Sequence, residues 1–281
     1  MSKTKKQHYL PRFYLRRFAD ESERICMVDA RLPASIIHTN VGDIAQGRYF
    51  YDFLGDGDNQ SYEKLFGLLE TELAAAFVRI EAKIELNQPL DQSDKNSLIN
   101  FMKLQLIRSD HARSLISREL IDNLFKEEYR GEADKLMHAY LMHRSLFEDD
   151  FYSEILNYLT NYEIKVLKSH EEIEIYTSSY PTFFHSNGQL ENILGHLKRA
   201  NSENFPQINS NLFFPFSSKI CLYFHNPSDR IEFDLSDWEH VCITTGLSSA
   251  GQRIYFRCSE NSVQFFPLLK LFLKPLKNSQ K

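Results

Sequence analysis

The hydrophobic pattern of this 281-residue chain changes near position 170, and that change limits the fold more than any other feature. Before it, apolar residues recur at steps of three or four, as at Leu65, Leu69, Leu73, Phe77 and Ile80. This spacing predicts amphipathic helices, the first with Ser61 as its N-cap. The expected helices cover 61–86, 93–109, 112–129, 132–147 and 150–169. Short connections between them favour antiparallel neighbours.

After that position, apolar and polar residues alternate, as half-buried strands require. The strands expected there cover 171–178, 211–216, 219–225 and 252–258, and those before the helices cover 24–30 and 35–39. The sequence therefore predicts an α+β fold, with a central block of about five helices, a small N-terminal β-hairpin and a C-terminal antiparallel sheet. We expect a single domain over 1–258, with the helical block at 61–169 and a mixed β-rich part at 171–258. A basic, apolar C-terminal extension follows at 259–281.

The two ends of the chain are basic and the middle is acidic. Residues 1–18 hold six of the 33 lysines and arginines, residues 269–281 hold four, and neither segment has an acid. All 38 acidic residues therefore lie between the ends, against 23 basic ones. The ends are expected either to pack on the acidic body or to bind a polyanion. Because residues 7–18 are rich in aromatics, we expect them to be folded onto the helical block, with only residues 1–6 loose.

The cysteines and the missing motifs exclude several classes of protein. The four cysteines, Cys26, Cys221, Cys242 and Cys258, are widely spaced and form no CxxC motif, so we expect reduced, mostly buried thiols in a cytoplasmic protein. The chain has no apolar run long enough to span a membrane and no secretory signal. It has no P-loop, no GxGxxG and no HExxH, so no cofactor and no metal site is identified.

A line of carboxylates runs beside the apolar stripe of the first long helix. Glu63, Glu70 and Glu81 lie on one face, with Gly67 and Ala74 between or near them, because seven and eighteen residues are close to whole helical turns. One interpretation is a set of acids for metal binding or proton transfer, although Glu63 and Glu70 are ~10 Å apart along the helix axis, too far to share one metal ion easily. The other is a set of partly buried acids that pair with arginines. Gln105 and Arg108, on the core-facing line of the next helix, are the natural partners.

His8 is a further candidate, because a histidine among cations tends towards the neutral form that serves as a general base. The opposing interpretation is a histidine hydrogen-bonded into the core. Arg12, Arg16, Arg17 and Arg113 are the candidate phosphate-binding residues.

The opening run KKQHYLPRFYLRRF is similar to the start of an uncharacterised bacterial family, domain of unknown function 4238. The matching residues are Gln7, His8, Tyr9, Pro11, Tyr14, Leu15 and Phe18. Glu63 and Glu70 resemble the family's acids on the first long helix, and Gln105 and Arg108 resemble its Gln-X-X-Arg. The family's Thr-Ser-Asp segment resembles Thr177, Ser178 and Ser179, so the Asp is replaced here. This resemblance adds Ser178 to the substrate-binding candidates and implies no established activity.

Two functions fit these residues. In the first, the protein is a hydrolase of phosphodiester or nucleotide substrates, in a mobile-element or phage-defence setting, with His8, Glu63, Glu70, Gln105 and Arg108 as catalytic residues. In the second, it is a protein-interaction or regulatory component, and the same residues form a structural network. Nucleic-acid binding through the basic ends alone is a weaker third alternative, because no known binding module is present.

Overall fold

The computed structural model describes residues 4–29, 35–53, 60–109, 130–143, 146, 156–169, 174–179, 181–186, 189–192, 211–228 and 253–259. Its chain divides into two compact units. The helical unit consists of Met1–Phe13 and Ala45–Thr160, and the β-rich unit consists of Tyr14–Ile44 and Asn161–Lys281. Helices and antiparallel sheets both occur, which confirms the α+β class. The single domain over 1–258 stays a prediction, and the expected extension at 259–281 lies outside the described residues except for Ser259.

Four α-helices occur among the described residues. They are α1 (Arg12–Leu15), α2 (Ser61–Glu85), α3 (Gln92–Arg108) and α4 (Arg130–His143). The last three belong to the expected helical block, and the helix expected at 112–129 lies outside the described residues. The prediction of a helix over 150–169 was wrong in its second half, because Glu163–Lys168 is a strand. Tyr162, Ile164 and Val166 alternate at period two, and the β-branched residues favour the extended backbone.

The strands of the described residues form three antiparallel sheets. They are β1 (Lys6–His8), β2 (Arg24–Asp29), β3 (Ile37–Asn40), β4 (Gln46–Arg48), β5 (Glu163–Lys168), β6 (Thr177–Ser178), β7 (Phe183–Ser186), β8 (Gln189–Asn192), β9 (Asn211–Pro215), β10 (Ile220–His225) and β11 (Arg253–Arg257). β1 pairs with β4, a second sheet has the order β3-β2-β11-β6, and a third has the order β5-β10-β9-β7-β8. The predicted N-terminal hairpin is confirmed as β2 and β3. β11, which comes near the end of the chain, pairs with β2 of this hairpin in one sheet. The sequence patterns did not predict this pairing.

The helical unit has an aromatic core. The ring of Phe13 packs edge-on against Phe77 and Phe101, with centroids 5.3 and 5.9 Å apart. α4 is attached to the other two helices through polar contacts, since the Tyr62 hydroxyl donates to the Ala139 carbonyl at 2.9 Å and His138 Nε2 donates to the Ile107 carbonyl at 2.8 Å. Burial of this core supplies the main stabilisation of the unit.

The N-terminal segment is divided between the units. Residues 7–13 lie in the helical unit as expected, but residues 14–18 belong to the β-rich unit, which corrects the prediction that all of 7–18 packs on the helical block. There the buried Tyr14 hydroxyl hydrogen-bonds to Thr177 Oγ1 at 2.8 Å and donates to the Pro215 carbonyl at 2.6 Å. Residues 4–6 are ordered by contacts as well, because Thr4 exchanges two hydrogen bonds with the Gln60 side chain.

The cysteine prediction also needs correction. Cys26 and Cys258 form a disulfide within the β-rich unit, with Cα atoms 5.2 Å apart. Cys221 is free and buried, as expected, and Cys242 lies outside the described residues. Among the described helices, none combines the length and hydrophobicity needed to cross a membrane.

Candidate functional site

The site forms where the start of α2 meets the end of α3. The two helices are antiparallel neighbours in sequence, so the first turns of α2 lie beside the last turns of α3. This arrangement brings Glu63 and Glu70 to the end of α3 that carries Gln105 and Arg108. A cation at this position also interacts favourably with the negative end of the α3 dipole.

Arg108 is the centre of the site. Its side chain is 1% exposed, the largest among the fully buried side chains described. Nη1 lies 2.7 Å from Glu70 Oε1, and Nε donates to the Tyr51 hydroxyl at 3.1 Å. The guanidinium also stacks 4.8 Å from the centre of the Phe66 ring. Burial lowers the pKa of Arg108, but Tyr51 and Glu70 outweigh it and hold that pKa above its ordinary value, so the group stays charged.

His8 enters the site through its backbone. Its carbonyl oxygen accepts a hydrogen bond from Arg108 Nη2 and another from the Tyr51 hydroxyl at 3.1 Å. The imidazole itself is half-buried, and its Nε2 atom is shielded from solvent. These contacts assign His8 an anchoring role for strand β1, whereas its role as a general base stays a prediction.

Gln7, the residue before it, is fully buried and bridges two partners. The Tyr51 amide donates to Gln7 Oε1 and Gln7 Nε2 donates to Asp52 Oδ1, both at 2.7 Å. Gln60 Nε2 donates to the same carboxylate oxygen at 3.2 Å. Gln60 also corrects the predicted cap of α2, since it and not Ser61 is the N-cap, in a left-handed conformation with φ of 50°.

Glu63 has the most perturbed carboxyl in the site. Burial raises its pKa, Arg108 lowers it, and Glu70 and Asp52 raise it again, which brings the pKa to about 7. The main physical reason is burial of the carboxyl, which Arg108 does not offset because its guanidinium already pairs with Glu70. A carboxyl with this pKa exchanges a proton near neutral pH, as general acids and bases must.

Gln105 is also buried, with 1% exposure, one turn before Arg108 on α3. Neither of its amide atoms has a hydrogen-bond partner among the residues that the structure describes. A buried amide without partners is unfavourable by about 1–3 kcal/mol. Packing of the core therefore does not account for a buried amide at Gln105, and we group this residue with the other polar residues of the site.

The predicted substrate-binding residues are dispersed. Arg12 is exposed in the helical unit. In the β-rich unit, Arg16 forms an ion pair with Glu23 at 2.7 Å. The Arg17 guanidinium stacks 4.4 Å above the centre of the Phe216 ring. Ser178 is buried in β6, where it pairs with Ile254 of β11. Arg113 lies outside the described residues. Their role in binding a substrate stays a prediction.

Sequence reasoning missed Tyr51 and Asp52. Both follow β4, in a segment that the sequence pattern showed only as leading into a loop rich in glycine and aspartate. The available signal was a tyrosine in an apolar run, since a buried tyrosine needs a partner for its hydroxyl. Tyr51 meets that need with the carbonyls of His8 and Arg108, at 3.1 and 3.3 Å.

Comparison with known proteins identifies the family. Residues 6–266 match the family model described as protein of unknown function (DUF4238), so the chain belongs to this family. No curated protein and no solved structure matches the chain. The resemblance noted from the opening motif is thereby confirmed, and the match extends over both units.

Proposed function

We propose that this DUF4238 member is a hydrolase of phosphodiester or nucleotide substrates, with its reaction centre at Glu63, Glu70 and Arg108. The observation that supports this most directly is the excess of carboxyl groups around one buried arginine. Glu70 forms the ion pair at 2.7 Å, and Glu63 keeps a pKa of about 7 beside it. Acids placed only to bind a cation need no such excess.

Each group has a distinct task in this proposal. Glu63, when ionised, takes a proton from water, and the resulting hydroxide attacks phosphorus while the P–O bond to the leaving group breaks. The leaving oxygen then takes the proton back from Glu63. Arg108 is buried and bonded to Glu70 and Tyr51, so in this proposal its charge offsets the negative charge that develops on the phosphoryl oxygens through space and not by direct contact. Glu70 holds the guanidinium in place. Gln105 supplies further hydrogen-bonding groups to the same end of α3.

Gly67 supports access to this centre. It lies on α2 between Glu63 and Glu70. Apart from its chain neighbours and the backbone of its own helix, no atom of the described residues lies within 4 Å of the position that a Cβ would occupy. Glycine inside a helix is about 1 kcal/mol less favourable than alanine. Open space beside the carboxyls is what a ligand would use to approach them.

The test is turnover by the purified full chain on single-stranded DNA, RNA and nucleotides, with and without divalent ions. We expect Glu63→Gln to lower turnover at least 100-fold with an unchanged fold, in line with loss of a general base. The matched control is Glu72→Gln, an exposed glutamate on the same helix. No turnover on any of these substrates, or equal turnover in both variants, would reject the proposal.

The alternative is a non-enzymatic interaction or regulatory protein. A specific contact favours it, because both Arg108 and the Tyr51 hydroxyl donate to the His8 carbonyl, which fixes strand β1. In that case Arg108→Ala lowers the melting temperature strongly and Glu63→Gln has no effect on any activity. Under both functions, hydrolase or interaction protein, we propose a cytoplasmic location and a mobile-element or phage-defence setting. The proposed partner is a nucleotide, a nucleic acid or a protein.

A further inference from the structure

Three side chains with donor atoms for a soft metal meet in the four-stranded sheet of the β-rich unit. Cys26 on β2 faces His38 on β3 directly, and it faces Phe256 on β11, two residues before Cys258. The two sulfurs and a ring nitrogen of His38 all lie within 4.8 Å of one another. The strand register fixes Cys26 opposite His38, because a slip of one residue would turn each of these side chains to the opposite face.

The imidazole points to the sulfurs. His38 Nδ1 lies 3.4 Å from Cys26 Sγ. The disulfide between Cys26 and Cys258 does not require a neighbouring imidazole. The position of His38 Nδ1 beside it is therefore not explained by the disulfide alone. Two sulfurs and one imidazole are the ligands that Zn²⁺ prefers in proteins.

We propose that the reduced form of this trio is a three-ligand Zn²⁺ site. Two thiolates and one Zn²⁺ sum to zero charge, which suits the apolar cluster around Cys26 formed by Val28, Tyr176, Ile254 and Phe256. Three protein ligands leave the fourth tetrahedral position open for water or an exogenous ligand. The site is separate from the carboxylate cluster of the helical unit and does not depend on the function proposed for it.

Burial defines a route of entry. Cys26 is buried, Cys258 is partly buried, and His38 is exposed on β3, an edge strand of the sheet. An ion can therefore reach His38 from solvent and proceed inward to the sulfurs. Cys258 follows the last residue of β11, so its position is not held by the ladder of that strand.

The disulfide and the metal exclude each other. Zn–S bonds of ~2.3 Å in a tetrahedral site place two sulfurs ~3.7 Å apart, whereas the disulfide joins them directly. Reduction by a phosphine or dithiol adds two electrons and two protons to give two thiols. Zn²⁺ then displaces the two thiol protons as it binds both thiolates. The same trio thus has an oxidised, metal-free form and a reduced, metal-binding form.

The test is a Co²⁺ titration of the full chain after reduction with a phosphine and removal of metals. We expect one equivalent to bind and to give a thiolate-to-cobalt charge-transfer band, which one equivalent of Zn²⁺ abolishes. The unreduced protein should give no band. Absence of the band in the fully reduced protein, with free thiols verified by titration, would overturn the proposal.

Variants assign the ligands. Cys258→Ser should abolish the band. His38→Ala should weaken binding by at least ~10-fold, since loss of a group that only supports a metal ligand already costs about 10–100-fold in typical sites. Cys221→Ser and Cys242→Ser are the controls and should bind normally. If His38→Ala binds as tightly as the unmodified chain, the site is not the one proposed. The comparison of oxidised and reduced protein needs no variant, so a folding defect in one of them does not remove the test.

Discussion

The α2–α3 pair carries a charged cluster at each end, and the two clusters are built differently. At the end where α3 begins, two acids meet two cations. Asp94, whose side chain is fully buried, lies 2.9 Å from Arg79 Nε, and Lys83 Nζ lies 2.7 Å from Asp91 Oδ2 and also contacts Asp94. Asp91 and Asp94 form a capping box at the same time, each accepting from the other's backbone amide.

The end where α3 finishes has the opposite balance. One buried cation, Arg108, interacts with Glu70 and Glu63, and Asp52 adds a further carboxylate that acts on Glu63, so the acids outnumber the cation. Burial acts to raise the pKa of the acid in both clusters, and the cations beside each acid decide the net direction. Burial raises the pKa of Asp94, but hydrogen bonds from Lys83 and Arg79 outweigh it and the net shift is downward. The pKa of Glu63 is raised to about 7.

This comparison separates two roles that the same residue types can fill. A balanced cluster fixes its acids in the ionised form, and its contribution is to hold the helices. An unbalanced cluster keeps one acid able to exchange a proton near neutral pH, at some loss of stability. The predictions below test that distinction, from the largest expected effect to the smallest.

Arg108→Gln should lower the free energy of unfolding by about 3–5 kcal/mol, because it leaves Glu70 in a partly buried site without its cation. Urea denaturation measures the effect. The control is Arg79→Gln, which removes the 46%-exposed cation of the other cluster and should lower the free energy of unfolding by less than ~1 kcal/mol, since Lys83 still pairs with Asp94. Equal losses in the two variants would mean that the clusters do not differ as described.

Asp94→Asn should destabilise by about 2–3 kcal/mol at pH 7, because the buried acceptor of Lys83 and Arg79 loses its charge. The pKa of Asp94 is lowered in the folded state, so its contribution is present above the ordinary pKa of an aspartate and is lost as the pH falls through the lowered value. The deficit of the variant should therefore shrink in acid. Asp91→Asn, which keeps a good N-cap, should change stability much less than Asp94→Asn does.

Glu63→Gln should change the pH dependence of stability. With a folded pKa of about 7 against an ordinary value of 4.5, the folded state binds the extra proton between these values, so stability falls as the pH rises from 4.5 to 7. Because the carboxyl is partly solvated, we expect this fall to be about 1–2 kcal/mol and to be absent in the variant. Melting temperatures recorded from pH 5 to 8 measure it. An unchanged slope in Glu63→Gln would show that the proton is held elsewhere, and Glu72→Gln should keep the normal slope.

Gly67→Ala should have the smallest effect on stability and should raise it by about 0.5–1 kcal/mol, because a helix-interior glycine gains a side chain in open space. Thermal unfolding checks this, with Ala75→Gly on the exposed side of α2 as the reverse control. If the carboxyls form a reaction centre, the added methyl group should also reduce turnover. A stabilised protein with unchanged turnover would separate Gly67 from the path of the substrate.

The sequence predicted the parts that depend on local periodicity. The bounds of α2 and α3 agree with the 3.6-residue pattern to within a residue, and the same pattern placed Glu70 on the line of α2 that borders the core. It also placed Glu63 on the same line. These are consequences of helix geometry alone, and no tertiary information was needed.

The parts that depend on distant residues were not predictable. Cys26 and Cys258 are separated by 232 residues, and only the pairing of β2 with β11 brings them together. The raised pKa of Glu63 likewise depends in part on Asp52, which is distant from the helices in sequence. Asp52 is held near the site by its hydrogen bond from Gln7 on β1. The wrong prediction of a helix at 163–168 has another cause. The apolar residues there fit the two-residue period of a strand and the three-to-four-residue period of a helix equally.

Because the chain alternates between the two units, the units are completed at different times during translation. The ribosome completes the helical unit when Thr160 emerges, but the sheet of β2 and β3 must wait for β11 at Arg253–Arg257. At 5–20 residues per second this interval is about 5–20 s, and throughout it one edge of β2 stays open to wrong partners. Since β11 lies between β2 and β6, loss of the last thirty residues removes a central strand of the sheet and not a dispensable tail.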